Sequence, residues 1–346
     1  MRKDNPFVLT FGKRPNEYIS RHDDTYTVIS TFSADNPVSQ AYIIEGIRGS
    51  GKTVLMTTII NELCLDDTWE CIDLNSTQDL MGEFAMRLSD LHRKKLDPLK
   101  SGFSLSVAGV GIGINADVNP RDNVSIIEDI LGDLKKKNKK LLITIDEVQH
   151  DNNMKHFASE FQILLRRDYP IFLLMTGLYE NLFAVQNDPA LTFLLRTPHI
   201  DLEPLNINQV ARQYGKIFNI DKSEAINLAK ITRGYAFAFQ ALGMIYWEHR
   251  DNKSFDEIID ELDDMLEDFV YKKIWQGLSD ADRRVILAVS RDEVPVKEIC
   301  ELLSMKPGTF SRYRDKLIKR GIMVSAKYGY VSLALPRFYE IMQSYR

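Results

Sequence analysis

Eight consecutive residues, Gly46-Ile47-Arg48-Gly49-Ser50-Gly51-Lys52-Thr53, satisfy the pattern G-x-x-x-x-G-K-[ST] at every fixed position. Such a run can cradle phosphates. Its glycines let the backbone wrap closely around an anion, so that N–H groups and a helix N-terminus face the negative charge. Lys52 would reach the terminal phosphates, and Thr53 would offer its hydroxyl to Mg²⁺. All eight residues are candidate nucleotide contacts, with ATP and Mg²⁺ as the implied ligands. A plain glycine-rich turn is the competing interpretation. The flanks favour phosphate: residues 41–45 form a short apolar run suited to a buried strand, and residues 53–63 read as a helix.

A second chemical stretch lies 94 residues after Lys52. Residues 141–145, Leu-Leu-Ile-Thr-Ile, form a buried strand that ends in Asp146-Glu147. Carboxylates at the carboxyl end of a parallel strand face the crevice where ligands bind. Asp146 would hold Mg²⁺, largely through water, and Glu147 would orient or deprotonate an attacking water. Thr176 closes the next apolar strand, residues 171–175. Its hydroxyl can bond the attacking water or a γ-phosphate, or simply cap the strand end. Arg196 ends a helix before the strand at 198–202. It would be either an arginine finger reaching a neighbouring subunit or an ordinary surface arginine.

These residues require an α/β scaffold to position them. Residues 1–35 read as a turn-rich lead-in in which Phe7, Phe11 and Tyr18 could pack on the core or against an adenine ring. Residues 36–204 alternate strand and helix as a parallel sheet does: a second strand at 69–74, a helix from about 79 capped by Asn75-Ser76, and helices at 126–137 and 155–167. A glycine-rich alternating stretch at about 101–119 reads as an inserted hairpin, either a partner or DNA contact or a packed decoration. Residues 205–276 become all-helical, a small lid whose acidic run from Asp256 to Asp268 reads as a solvated face.

Residues 277–346 combine helix, turn, helix and a two-stranded wing. The third helix of this unit carries Thr309, Arg312, Arg314 and Lys316, and the wing carries Lys327. Together they suit the major groove and phosphates of double-stranded DNA, although winged helices also dock proteins. This unit holds 13 Lys and Arg against 8 Asp and Glu, a net of +5 in a chain of net charge −5. A basic module on an acidic body suits a local anion site; a solvated basic face is the plain alternative.

Composition bounds the rest. Hydrophobic content of 44% and charged content of 27% are ordinary for a globular protein, and 346 residues suffice for two or three domains. No apolar run approaches the length that spans a bilayer, and no secretory leader is evident. Three scattered cysteines and six histidines without ligand spacing point away from a disulfide frame or zinc site, and toward a reducing, cytoplasmic setting.

With residues 46–53, 141–147 and Met175-Thr176-Gly177 in place, the chain resembles the AAA+-like P-loop ATPases over residues 5–346. Within them it is similar to the origin-recognition initiator ATPases and to the STAND-type ATPases of bacteria and archaea. That resemblance implies a P-loop core, a helical lid and a C-terminal winged helix. By similarity Lys52 and Thr53 are phosphate and Mg²⁺ ligands, Asp146 a Mg²⁺ ligand, Glu147 the catalytic carboxylate and Thr176 a γ-phosphate sensor. Residues 233–240, Arg-Gly-Tyr-Ala-Phe-Ala-Phe-Gln, lack the basic sensor of the initiator lid and look more like the STAND-type lid. Ser20-Arg21 also replaces the Gly-Arg of many relatives. The expected activity is slow ATP hydrolysis that switches DNA binding. The alternative is a signalling or scaffold ATPase that docks a protein, and self-association is open in both.

Overall fold

The computed structural model describes residues 4–9, 15–95, 120–290 and 292–345. Five parallel strands carry its N-terminal half: β1 (Ala41–Glu45), β2 (Trp69–Asn75), β3 (Lys140–Asp146), β4 (Ile171–Gly177) and β5 (His199–Asp201). Their spatial order is β2-β3-β4-β1-β5. β3 and β4 are apolar at nearly every position because both faces of the sheet are covered. On one face lie α1 (His22–Ser33) and α2 (Lys52–Leu63), which bring Val28, Phe32, Leu55 and Ile59 onto Tyr42, Ile44, Leu142 and Leu174. On the other lie α3 (Leu80–Lys95), α4 (Pro120–Lys136), α5 (Asn152–Arg166) and α6 (Tyr179–Gln186), packed over Ile43, Ile143 and Leu173. Alternate side chains along each strand thus feed opposite layers.

The C-terminal half is built from α7 (Ile207–Phe218), α8 (Lys222–Ile231), α9 (Ala236–His249) and α10 (Phe255–Leu266), followed by α11 (Lys272–Gln276), α12 (Asp280–Ala288), α13 (Val296–Leu302), α14 (Pro307–Lys319) and α15 (Phe338–Met342). Three short antiparallel strands, β6 (Val294–Pro295), β7 (Met323–Val324) and β8 (Tyr330–Leu333), stand in the order β6-β8-β7. α9 is buried around most of its circumference, as a helix at the centre of a layer must be. One continuous core runs from Leu205 to Met342 and also takes in Phe7. The helices expected as a lid therefore share their hydrophobic interior with the C-terminal unit.

Several local expectations change. The lead-in contains a full helix, α1, because Val28 and Phe32 stand four apart and are both completely buried against the sheet. Asp79, rather than Asn75 or Ser76, caps α3 by accepting from the Met81 N–H; Asn75 instead accepts from Thr77 and closes a turn. Cys64, just past α2, and Cys71 in β2 form a disulfide that the sparse cysteines did not announce. The acidic run on α10 is not wholly solvated, since Asp263 receives both Nε (2.7 Å) and Nη2 (2.6 Å) of Arg337. The expected hairpin at 101–119 lies outside the described residues.

Candidate nucleotide site

β1 ends at Glu45, and residues 46–51 turn back into α2. Gly49 and Gly51 both take left-handed backbone, with φ of 76° and 96°, which side-chain-bearing residues rarely adopt. Gly49 is also pressed by the helical half: a Cβ there would stand 2.3 Å from the Tyr235 hydroxyl oxygen. That hydroxyl donates to the Arg48 carbonyl (2.6 Å), and the Phe237 N–H donates to the Gly49 carbonyl (3.1 Å). The start of α9 is thus seated directly on the glycine-rich loop. Burial of Tyr235 pushes its phenol well above the ordinary range, so it remains a donor.

Lys52 turns its Nζ onto the loop's own carbonyls, Gly46 O at 2.9 Å and Ile47 O at 3.1 Å. Burial pulls the ammonium down to about 8, against the opposing pull of Glu147 and Asp146. Thr53 Oγ1 donates to Asp146 Oδ2 (2.8 Å), joining the first turn of α2 to the end of β3. The hydroxyl of Thr176, at the end of β4, donates to Asp146 Oδ1, and both atoms accept the Glu147 N–H at 3.1 Å. Glu147 takes a φ of 53°, which turns its exposed side chain toward a cavity of about 640 Å³. Lys52, Thr53, Asp146 and Glu147 share that cavity's wall with Tyr18, Arg21, Asn75 and Phe237.

The sequence-predicted residues therefore divide. Lys52, Thr53, Asp146 and Glu147 converge. Thr176 is fully buried, and its hydroxyl is committed to Asp146 and Glu147 rather than turned toward the cavity. Arg196 is exposed at the end of the 3₁₀ segment Pro189–Arg196, away from the cavity wall. The donor set at Thr53 and Asp146, a hydroxyl beside a carboxylate, consists of hard oxygens and fits Mg²⁺.

Sequence reasoning missed Tyr235 as a contact to the loop and Arg21 as a clamp. Arg21 Nη2 donates to the Glu203 carbonyl (2.7 Å) and reaches the Ser50 carbonyl (3.5 Å). Its burial lowers the guanidinium's proton affinity despite Asp24 nearby. The aromatic residue directly after Arg233-Gly234 was the available signal for Tyr235.

The basic residues of the C-terminal unit are unevenly available. Arg312 is exposed on α14. Arg314 is held by Asp315 (Nη2–Oδ1 3.0 Å), and Lys316 pairs with the fully buried Asp282 (2.6 Å). Lys327 lies 4.1 Å from the Tyr330 ring centre, and Thr309 is exposed near the start of α14. At the far end of α14, Arg320 pairs with Glu180 on α6, and Lys319 lies over the Tyr179 ring. A Cβ on Gly321 would stand 3.4 Å from Ile47 Cβ in the phosphate loop.

Residues 268–342 match a family described as a domain of unknown function, DUF8462. No curated protein sequence matches the chain. Among solved structures, a Walker-type ATPase of Pyrococcus abyssi aligns with a TM-score of 0.68 at 14% identity, covering 97% of this chain and 99% of that one. The ORC2 protein of Aeropyrum pernix, solved as ADPNP-ADP complexes, aligns with a TM-score of 0.59 at 14% identity over 97% and 96% of the two chains. The ORC1 protein of the same organism, solved in complex with DNA, aligns with a TM-score of 0.50 at 13% identity over 97% and 95%. The chain shares the fold of these structures along nearly its whole length, a five-stranded parallel sheet followed by a helical half.

Proposed function

We propose that this protein is a Mg²⁺-dependent ATPase whose nucleotide state controls what its C-terminal unit binds, with double-stranded DNA as the partner. The carrying observation is the convergence of Lys52, Thr53, Asp146 and Glu147 on one cavity that the start of α9 closes. Lys52 would leave its two loop carbonyls for the β- and γ-phosphates, while loop N–H groups hold the remaining charge. Thr53 and Asp146 would hold Mg²⁺, which neutralises charge building on the phosphate oxygens. Glu147 would take a proton from the attacking water, and Thr176 would keep the acidic pair aligned. The helical side of the cavity, from Phe237 to Gln240, and Tyr18 would receive the base.

Coupling to the C-terminal unit has a physical route. Just past α14, Gly321 lies beside Ile47, which packs on the C-terminal core, and Arg320 pairs with Glu180 just beyond β4; a terminal phosphate would act on both regions. α14 followed by the β7–β8 hairpin suits a winged helix, and exposed Thr309 and Arg312 would meet the duplex with Arg314, Lys316 and Lys327 at the periphery. Docking of a protein is the second reading, favoured by the internal ion pairs of Arg314 and Lys316. Exposed Arg196 suits an arginine finger acting across a self-associated pair. The test is ATP hydrolysis with and without duplex DNA, beside Lys52→Ala. Stimulation by DNA that vanishes in Lys52→Ala is the expected result. Lys52-dependent turnover indifferent to DNA would move the assignment to protein docking, and turnover retained by Lys52→Ala would overturn the site.

A further inference from the structure

Glu45 and Asp201 are direct partners in the parallel register of β1 and β5, and His199 precedes Asp201 by two. The pleat therefore sends all three side chains to the same face of the sheet. Their ligand atoms lie within 4.8 Å of one another, the only such group of three among the described residues. This is not a cluster of acids alone. An imidazole nitrogen, His199 Nδ1, stands 3.3 Å from Glu45 Oε2, and its side chain is 25% exposed against 20% for Glu45. The ring is also oriented from behind: its Nε2 meets the amide of Gln186, which is itself fixed by donating to the Leu194 carbonyl (3.1 Å). A carboxamide beside the far nitrogen fixes the ring's angle, and its oxygen, once turned inward, would accept the Nε2–H of a metal-bound histidine.

We propose that Glu45, His199 and Asp201 form a binding site for a single zinc-class divalent cation, distinct from the Mg²⁺ position at Thr53 and Asp146. One imidazole with two carboxylates is a borderline donor set that suits Zn²⁺. Mg²⁺, by contrast, takes oxygen ligands. Coordination through Nδ1 requires the neutral ring to carry its proton on Nε2, so the proton that now points to Glu45 moves to Nε2, and a half-turn of the Gln186 amide lets Oε1 accept it. The ion would tie β5 to β1 at the residue before the phosphate loop. It would do so beside the Leu202 N–H to Glu45 carbonyl bond (2.9 Å), where the chain leaves the sheet for α7. The site stands on its own residues and needs no nucleotide.

The test is calorimetric titration of the chelator-stripped full chain with Zn²⁺, in the absence of nucleotide. Wild type should bind one ion per chain and show a higher unfolding temperature when loaded. His199→Ala and the near-isosteric Asp201→Asn should each weaken binding by at least about tenfold and lose the thermal shift. Lys52→Ala should bind Zn²⁺ as wild type does, which separates this site from the phosphate loop. Should His199→Ala fail to fold, Asp201→Asn carries the measurement. Absence of binding by wild type, or unchanged affinity and stoichiometry in a folded variant, would overturn the proposal.

Discussion

Raising the pH should weaken nucleotide binding through one amine. In the free protein Lys52 titrates at about 8, chiefly because burial disfavours its charged form. Terminal phosphates would restore the charge, so the affinity gained from Lys52 follows the protonated fraction of the free protein. With a pKa of about 8, that fraction falls about 25-fold between about pH 7.5 and about pH 9.5, and the dissociation constant for ATP should rise by the same factor. Titration with a fluorescent ATP analogue at constant Mg²⁺ and ionic strength measures it. Lys52→Ala should bind weakly and without this slope, and Lys52→Arg should also lose it because a guanidinium stays charged. The same displacement makes a linked prediction for the ligand-free protein. Its folded-state pKa lies below the value of 10.5 for an exposed lysine, so the unfolded chain holds more protons between about pH 8 and 10.5. Lys52 thus costs stability at neutral pH, and the cost is relieved as pH rises through that window, by up to about 3 kcal/mol. Flat ATP affinity in wild type, or an equally steep slope in Lys52→Arg, would refute the reasoning.

Thr176→Val removes the hydroxyl that aligns Asp146 and Glu147; single-turnover rates should fall by roughly tenfold or more while ATP affinity changes little. Arg337→Ala strands Asp263, whose two oxygens accept from that guanidinium, and should cost about 2 kcal/mol by urea denaturation; a loss below about 0.5 kcal/mol would mean that water replaces the pair. If α14 meets duplex DNA, Arg312→Ala should reduce the slope of log affinity against log salt by about 1, and an unchanged slope would remove Arg312 from the interface. Reduction of Cys64–Cys71, which closes a short loop, should lower stability by about 2 kcal/mol, and Cys64→Ser should abolish the response to reductant.

The sequence by itself determined the glycine turn between a strand and a helix, the acidic strand end and the alternating core. These signals are local: a strand, a glycine turn and a helix start occupy one contiguous run, and Asp146-Glu147 closes its own apolar strand. The commitment of Thr176 to Asp146 was not legible, because strand order, not sequence distance, makes β3 and β4 neighbours. α1 was missed because only two buried apolar positions, Val28 and Phe32, mark its inner face beside the buried Thr25 in an otherwise polar stretch. Tertiary structure alone decided that Tyr235 sits on the phosphate loop, that Arg337 answers Asp263, and that the helices after Leu205 share one core with the C-terminal unit. The first two join residues 187 and 74 apart, and burial between layers selects such pairings only once both layers have folded. Periodicity along the chain says which face of a helix is apolar. What that face meets is set by the packing of the whole molecule.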